Sequence, residues 1–317
     1  MSRKRGLMFK YLVCLLISSS ILSSEEKHRQ EEIHSVNTYT LSIAAIFQNE
    51  APYLKEWIEY HKSIGVEHFF LYNNNSNDYY LTILDRFIKS GCVTLTEWPS
   101  KQETNDWWHH SFIVQTGAYN DAIEKCRHVS KWLALIDIDE FIVPVSNGNL
   151  VQLLETDYSD VSGLCINWQC YGTSFGAECI YEEDGSCPIL DHLVWKMKST
   201  HVWNNNSKSI VQPLHVISCP NPHYCIYTDN HWAVDVNRKP VPTACEELHI
   251  DKIRINHYWT RDSSFLINVK IPRYFKWGAN IEGVMDHANK MNEEFDPILA
   301  KIREDSINID MTRERVD

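Results

Sequence analysis

Two cradles that hold phosphate in many α/β proteins are missing from this chain. No G-x-G-x-x-G follows an apolar run, and no G-x-x-x-x-G-K-[ST] occurs in the 317 residues. The dinucleotide-binding and P-loop solutions, which depend on those glycine-rich turns, are thereby excluded. None of the ten cysteines forms a C-x-x-C pair, which removes the usual ligand spacing of a structural zinc site. Positive charge is in deficit: 30 Lys and Arg stand against 42 Asp and Glu, a formal charge of −12. That is the wrong sign for a chain whose main partner is nucleic acid. The apolar N-terminal run, residues 11–22, falls short of the roughly 20 residues that span a bilayer, unless Lys10 snorkels and residues 6–9 join it.

With 44% hydrophobic and 23% charged residues, the chain has globular composition, enough for one large domain or two small ones. Its 11 Trp and 15 Tyr suit flat amphipathic ligands such as sugars or bases, or simply a core. Arg3, Lys4, Arg5 and Lys10 precede the apolar run, and serines 18–20, 23 and 24 follow or end it. This pattern predicts a secretory signal or a signal anchor with a short stem over 1–36. The expected location is a single-pass membrane protein with the rest of the chain lumenal or extracytoplasmic (Golgi-like in a eukaryote), or else a secreted protein. Seven cysteines crowd between Cys165 and Cys245, with close pairs at Cys179/Cys187 and Cys219/Cys225. They read as loop staples in an oxidising compartment and as buried thiols in a reducing one. N-glycosylation triplets start at Asn74 and Asn205.

Strands and helices alternate along the first half. T-L-S-I-A-A-I-F at 40–47 is nearly continuous apolar sequence, as in a strand buried on both faces. The spacing of Leu54, Trp57, Ile58 and His61 behind Pro52 predicts a helix over 52–63, stopped by Gly65. A strand at 68–72, a helix at 81–90, a strand at 92–98 and a helix at about 112–126 follow. Such alternation implies a mostly parallel open sheet flanked by helices, the α/β class. Ligands of such sheets bind at the carboxyl ends of the strands. Three of those ends are polar: Asn49-Glu50, residues 73–78 with Asn74 and Asp78, and the triplet Asp137, Asp139, Glu140. Each is also good turn and cap chemistry, but the three together predict one crevice.

The triplet is the most informative. K-W-L-A-L-I at 131–136 runs straight into D-I-D-E. Continued as a strand, it projects Asp137 and Asp139 to one side, with Ile138 turned back. Unpaired carboxylates at a core's edge are costly. Either Lys or Arg from a neighbouring loop pairs them, or a hard divalent cation, Mn²⁺ or Mg²⁺, does so and leaves positions for substrate phosphates.

I-F-Q-N-E at 46–50, Y-L-K-E-W-I-E-Y-H at 53–61, Gly65-Val66, Y-N-N-N-S-N-D at 72–78 and I-D-I-D-E-F at 136–141 together resemble glycosyltransferase family 92, close to the family-2-like transferases. W-Q-C-Y-G at 168–172, with Tyr171 for the family's Phe, K-S-I-V at 208–211, and N-H-Y-W at 256–259 with Ser263, Lys270 and Arg273 extend the resemblance over about 41–277. The resemblance implies a GT-A fold: a nucleotide-sugar half (37–145), an acceptor-side half (146–285) and a helical, charged tail (286–317). It implies that Asp139 ligates the metal, with Asp137 on the ribose or the metal shell and His257 as a further ligand. Asn49, Glu50, Asn74 and Asp78 would line the donor pocket, and Trp168 and Tyr171 the acceptor side. The family pattern suggests inversion and a UDP-sugar donor, galactose in some members. Thr173-Ser174-Phe175 departs from its S-G continuation.

The chemistry asks for the same parts. Glycosyl transfer from a nucleotide diphosphate builds negative charge on the leaving phosphates, which a Lewis acid stabilises. Lys208, Lys270 and Arg273 are candidate phosphate donors. An inverting transfer to a glycan or other hydroxyl acceptor needs a carboxylate base, and Glu178, Asp191 and Asp235 are the candidates. A non-catalytic glycan-binding relative and a metal-dependent hydrolase of nucleotide-sugars or phosphoesters are the competing readings.

Overall fold

The computed structural model of the chain describes residues 38–99, 109–145, 148–245 and 247–302. The N-terminal segment 1–36 and the last part of the expected tail, 303–317, lie outside them. Among the described residues, no helix is long and apolar enough to cross a membrane.

β1 (Tyr39–Phe47) is the centre of the first half and is buried from Leu41 onward. Period-2 alternation sends its side chains into two cores. Leu41, Ile43, Ala45 and Phe47 pack in the layer of α1 (Ala51–Ser63) and α2 (Tyr80–Lys89), while Ala44 and Ile46 face α3 (Thr116–Cys126). An apolar run with no polar alternation thus becomes a strand covered on both sides. α1 carries its proline in the first turn, buries Leu54, Trp57, Ile58 and His61, and is followed by Gly65 at φ +106°. A Cβ on Gly65 would stand 2.9 Å from Val151 Cγ2, so only glycine serves there. β2 (His68–Asn73) and β3 (Val93–Glu97) extend the sheet, and a π-helical turn, His110–Gln115, leads into α3.

β4 (Ser130–Leu135) lies parallel to β1, so β3-β2-β1-β4 form a parallel block. Beyond it come β5 (Glu140–Pro144), α4 (Leu150–Asp157), β6 (Gly163–Cys170), the short β7 (Trp195–Lys196) and β8 (Ser207–Val211). β8 lies between β4 and β6 and is antiparallel to both. β9 (Val216–Asn221) and β10 (Tyr224–Tyr227) form a separate hairpin; β11 (Ala233–Val234) and β12 (Pro240–Val241) finish one edge. β13 (Ile253–His257) runs parallel to β6 and antiparallel to β5. α5 (Ile271–Lys276) and α6 (Ile281–Lys290) precede β14 (Glu294–Phe295), which pairs with β7. The expected α/β sheet flanked by helices is what the chain forms, with an antiparallel component contributed by β8. The boundary expected at 285/286 falls inside α6.

One local expectation is corrected. The acidic triplet does not continue β4: the strand stops at Leu135, and Asp137 to Glu140 form a turn closed by the Glu140 amide donating to the Asp137 carbonyl at 3.1 Å. Ile138 is buried as expected, but the two aspartates leave the turn toward different partners. Cys179 and Cys187 form a disulfide, with Cα atoms 5.7 Å apart. The other described cysteines, Cys219 and Cys225 included, are free thiols.

Candidate active site at the carboxyl edge of the sheet

Three groups of side chains meet where β1, β2 and β4 end. The first surrounds Asp137. Its Oδ1 accepts from Gln115 Nε2 (2.6 Å) and the Tyr119 hydroxyl (2.9 Å), both reaching across from the helical segment over the sheet. Its Oδ2 pairs with Lys208 Nζ at 2.9 Å. Lys208 comes from β8, the strand beside β4, and is 1% exposed. Burial disfavours its charge, but Asp137 and Glu140 more than offset this and hold the ammonium well above its ordinary pKa. Glu140 is fully buried; its Oε2 accepts the Asp137 amide while Oε1 has no partner. Burial, reinforced by Asp137 and Asp139, pushes this carboxyl well above the carboxylate range.

The second group surrounds Asp139. Lys270 Nζ lies 3.2 Å from Oδ2 and His257 Nε2 3.6 Å from the same oxygen. β13 brings His257 there because it pairs with Glu140 of β5 in register. Burial opposes the charge on Asp139, yet Lys270, His257 and Arg261 outweigh it and hold the carboxyl well below its usual range. Burial lowers the pKa of His257 in spite of Asp139, which favours a neutral imidazole with a lone pair to give. The pair fits a divalent cation: 3.6 Å is long for a hydrogen bond, and short enough for both atoms to reach one ion at about 2.1 Å each. Asp137 does not join them; among the described residues the three do not gather into a compact ligand set.

The third group is Glu50, Arg261 and Tyr53. Arg261 is fully buried, donates to Glu50 Oε2 at 2.8 Å and lies over the Tyr53 ring at 4.5 Å. Its Nε and Nη1 have no partner. Burial raises the Glu50 pKa against the pull of Arg261. Arg273, on α5, is close enough to Glu50 and His110 to act on both electrostatically.

The remaining predicted residues are distributed around this centre. Asn49, in the left-handed region at φ 57°, accepts from the Asn77 amide and donates its own amide to Ser76 Oγ, each at 2.9 Å. Asp78 accepts from the Ala51 amide at 2.8 Å, capping the first turn of α1. These two residues clasp the β1 and β2 exit loops together. Asn74 is buried, its amide donating to the Phe47 carbonyl at 2.8 Å. Trp168 is 7% exposed on β6, its ring centroid 4.2 Å from that of His257. Tyr171 is wholly buried and its hydroxyl accepts from Arg254 at 3.0 Å. Glu178 and Asp191 are exposed on the irregular segment after β6. Asp235 is buried; its Oδ1 accepts from the Asn237 and Lys239 amides at 2.9 Å each, inside the β11–β12 turn. Sequence reading missed Arg261, Gln115 and Tyr119. Arg261 follows N-H-Y-W-T like any surface charge, and Gln115 and Tyr119 read as helix residues four apart.

The description glycosyltransferase family 92 matches residues 37–297. A family 92 glycosyltransferase of Ricinus communis is 31% identical over 132 residues, 39% of this chain and 21% of that protein. A galactan β-1,4-galactosyltransferase of Arabidopsis thaliana is 29% identical over 107 residues, 32% of this chain and 20% of that one. The chain thus spans about a fifth of the length of the curated relatives it matches. Among solved structures, Staphylococcus aureus TarS 1–349 is similar at a TM-score of 0.36 and 10% identity, over 79% of this chain and 70% of that one. With the match to the family running through nearly every described element, from β1 to β14, this chain belongs to glycosyltransferase family 92.

Proposed function

We propose that the chain is a glycosyltransferase that moves a sugar from a nucleotide diphosphate, UDP-galactose foremost, to a hydroxyl of a glycan acceptor with inversion. The observation that carries this reading is the pairing of Asp139 with neutral His257 at the carboxyl edge of the sheet, beside the cations Lys270, Arg261 and Arg273. The galactan β-1,4-galactosyltransferases among the relatives support galactose and a glycan. A divalent cation, Mn²⁺ or Mg²⁺, held by Asp139 and His257 would offset the charge that grows on the departing diphosphate. Lys270 and Arg273 donate to the phosphates, Lys208 fixes Asp137 for the ribose side, and Arg261 holds Glu50. In the transfer the acceptor oxygen bonds to the anomeric carbon, the bond from that carbon to the diphosphate oxygen breaks with its electron pair leaving on phosphate, and the hydroxyl proton passes to a carboxylate base. Of the candidate bases, Glu178 and Asp191 are exposed on the loops after β6, whereas the Oδ1 of Asp235 already accepts two turn amides. Residues 1–36 would deliver the enzyme to the secretory pathway, as signal or as anchor.

The test is a screen of nucleotide-sugars for Mn²⁺-dependent release of free nucleotide, with and without glycan acceptors. Acceptor-dependent release is expected. Release that ignores the acceptor would make the protein a hydrolase, and binding without release would make it a lectin.

A further inference from the structure

Trp168 touches two imidazoles. Its ring centroid lies 4.2 Å from that of His257, beside Asp139, and 5.4 Å from that of His223, in the β9–β10 turn. His223 in turn lines a pocket of about 300 Å³ together with Val202, Asn205, Asn206, Asn221 and Tyr224. The pocket is on the same edge of the sheet as the acidic turn, because β8, antiparallel to β4, begins at Ser207 where β4 ends. Among the described residues that line it there is no Lys, Arg, Asp or Glu.

Its polar atoms are sorted by their own hydrogen bonds. His223 Nδ1 lies 2.8 Å from the Ser207 carbonyl, which can only accept, so the proton is on Nδ1 and Nε2 presents a lone pair. Burial, with Lys208 nearby, pushes this imidazole down to about 4, so it is neutral at physiological pH. Asn206 donates its Nδ2 to the Trp203 carbonyl at 2.9 Å, which leaves Oδ1 as an acceptor. Asn221 accepts the His223 amide on Oδ1 at 2.9 Å, which leaves Nδ2 as a donor. Uncharged donors and acceptors on a concave wall, with aromatic and aliphatic neighbours, match the alternating hydroxyl and C–H surface of a sugar.

We propose that this pocket is the acceptor subsite, and that it takes a neutral oligosaccharide through Asn206, Asn221 and His223. The inference rests on the glycosyl-transfer reading and adds the location and charge class of the acceptor. Two variants test it in the full-length chain. Val202 is 69% exposed, so Val202→Trp fills the pocket mouth without disturbing a buried group. His223→Asn keeps a donor near the Ser207 carbonyl and deletes Nε2. The probes are a β-1,4-galacto-oligosaccharide and an oligogalacturonide of equal length, with nucleotide release as readout. Each variant is expected to raise the acceptor KM at least tenfold with the donor KM within twofold, and the oligogalacturonide to serve poorly. An unchanged acceptor KM in Val202→Trp, equal use of the acidic probe, or a wild type that binds nucleotide-sugar yet transfers to neither probe would overturn the subsite. A wild type that binds no nucleotide-sugar would instead overturn the glycosyl-transfer reading, and the subsite with it.

Discussion

Asp139 answers to two cations at once, and that decides what its removal does. Read as a repelling pair, Asp137 and Asp139 would make Asp139→Ala harmless or even stabilising without metal. The structure reverses the sign, because each aspartate has its own lysine. Truncating Asp139 leaves Lys270, 10% exposed, without its ion-pair partner and beside Arg261, at a cost on the order of 3 kcal/mol. Asp139→Ala is therefore expected to abolish Mn²⁺-dependent UDP binding and also to lower the denaturant midpoint of the metal-free protein. Calorimetric titration and chemical denaturation of one preparation check both; metal-dependent binding at wild-type strength would remove Asp139 from the site. At this scale the sequence exposed residue types but not their pairings. The D-x-D spacing marked the carboxylates, and K-S-I-V drew attention to Lys208. That Lys208, on a strand, belongs to Asp137 and Lys270, on a helical segment, to Asp139 depends on chain segments 71 and 131 residues away. Trp168 shows the same gap: that its ring is buried between His257 and His223 is a matter of packing that its sequence neighbours do not state.

Elements were legible where periodicity was strong. β1 and α1 are where the apolar run and the Leu54/Trp57/Ile58/His61 spacing put them, because long-period burial leaves few alternatives. The acidic triplet ends the strand as its polarity implies, but its shared-face geometry does not hold, since two-residue spacing of carboxylates is equally compatible with a tight turn once the strand's apolar run has ended. β8 carries the K-S-I-V motif, but nothing local states that it inserts between β4 and β6. The glycine of W-Q-C-Y-G has a meaning only the packing supplies. A Cβ on Gly172 would stand 2.5 Å from Asn292 Oδ1 and 2.8 Å from the Met291 carbonyl oxygen. The segment after α6 is thus seated directly on the end of β6, where the Asn292 Oδ1 also accepts the Ser174 amide at 2.8 Å. Gly172→Ala is expected to destabilise by about 1–3 kcal/mol, read as a lowered midpoint in urea; a midpoint equal to wild type would show that this seat yields easily.

Across the whole molecule, buried histidines set the acid limit. His61 is fully buried between α1 and β5; its Nδ1 donates to the Trp57 carbonyl at 2.8 Å and its Nε2 accepts from the Ile142 amide at 3.3 Å. Both nitrogens are committed to the neutral form, and burial pushes the imidazole down to about 3. Burial also takes His223 and His287 down to about 4. In the unfolded chain these groups protonate near pH 6.5, so below that pH the unfolded state binds more protons. Stability is expected to hold above pH 6.5 and to fall as the pH drops toward 4, by up to about 1.4 kcal/mol per pH unit for His61 alone. Urea titrations at pH 7.5, 6 and 5 check this, and a midpoint that rises on acidification would contradict it. The insertion of β8 reaches further still. The strand that completes the edge of β4 is supplied by residues 207–211, so a fragment ending near residue 145 would carry a raw parallel edge with its hydrogen-bonding groups bare. The parallel block and the strands that follow it are therefore thermodynamically one body: heat should melt them in a single calorimetric transition, and a chain ending near residue 145 should aggregate. A lineage could then vary the second half by changing its loops, but not by exchanging it as a cassette.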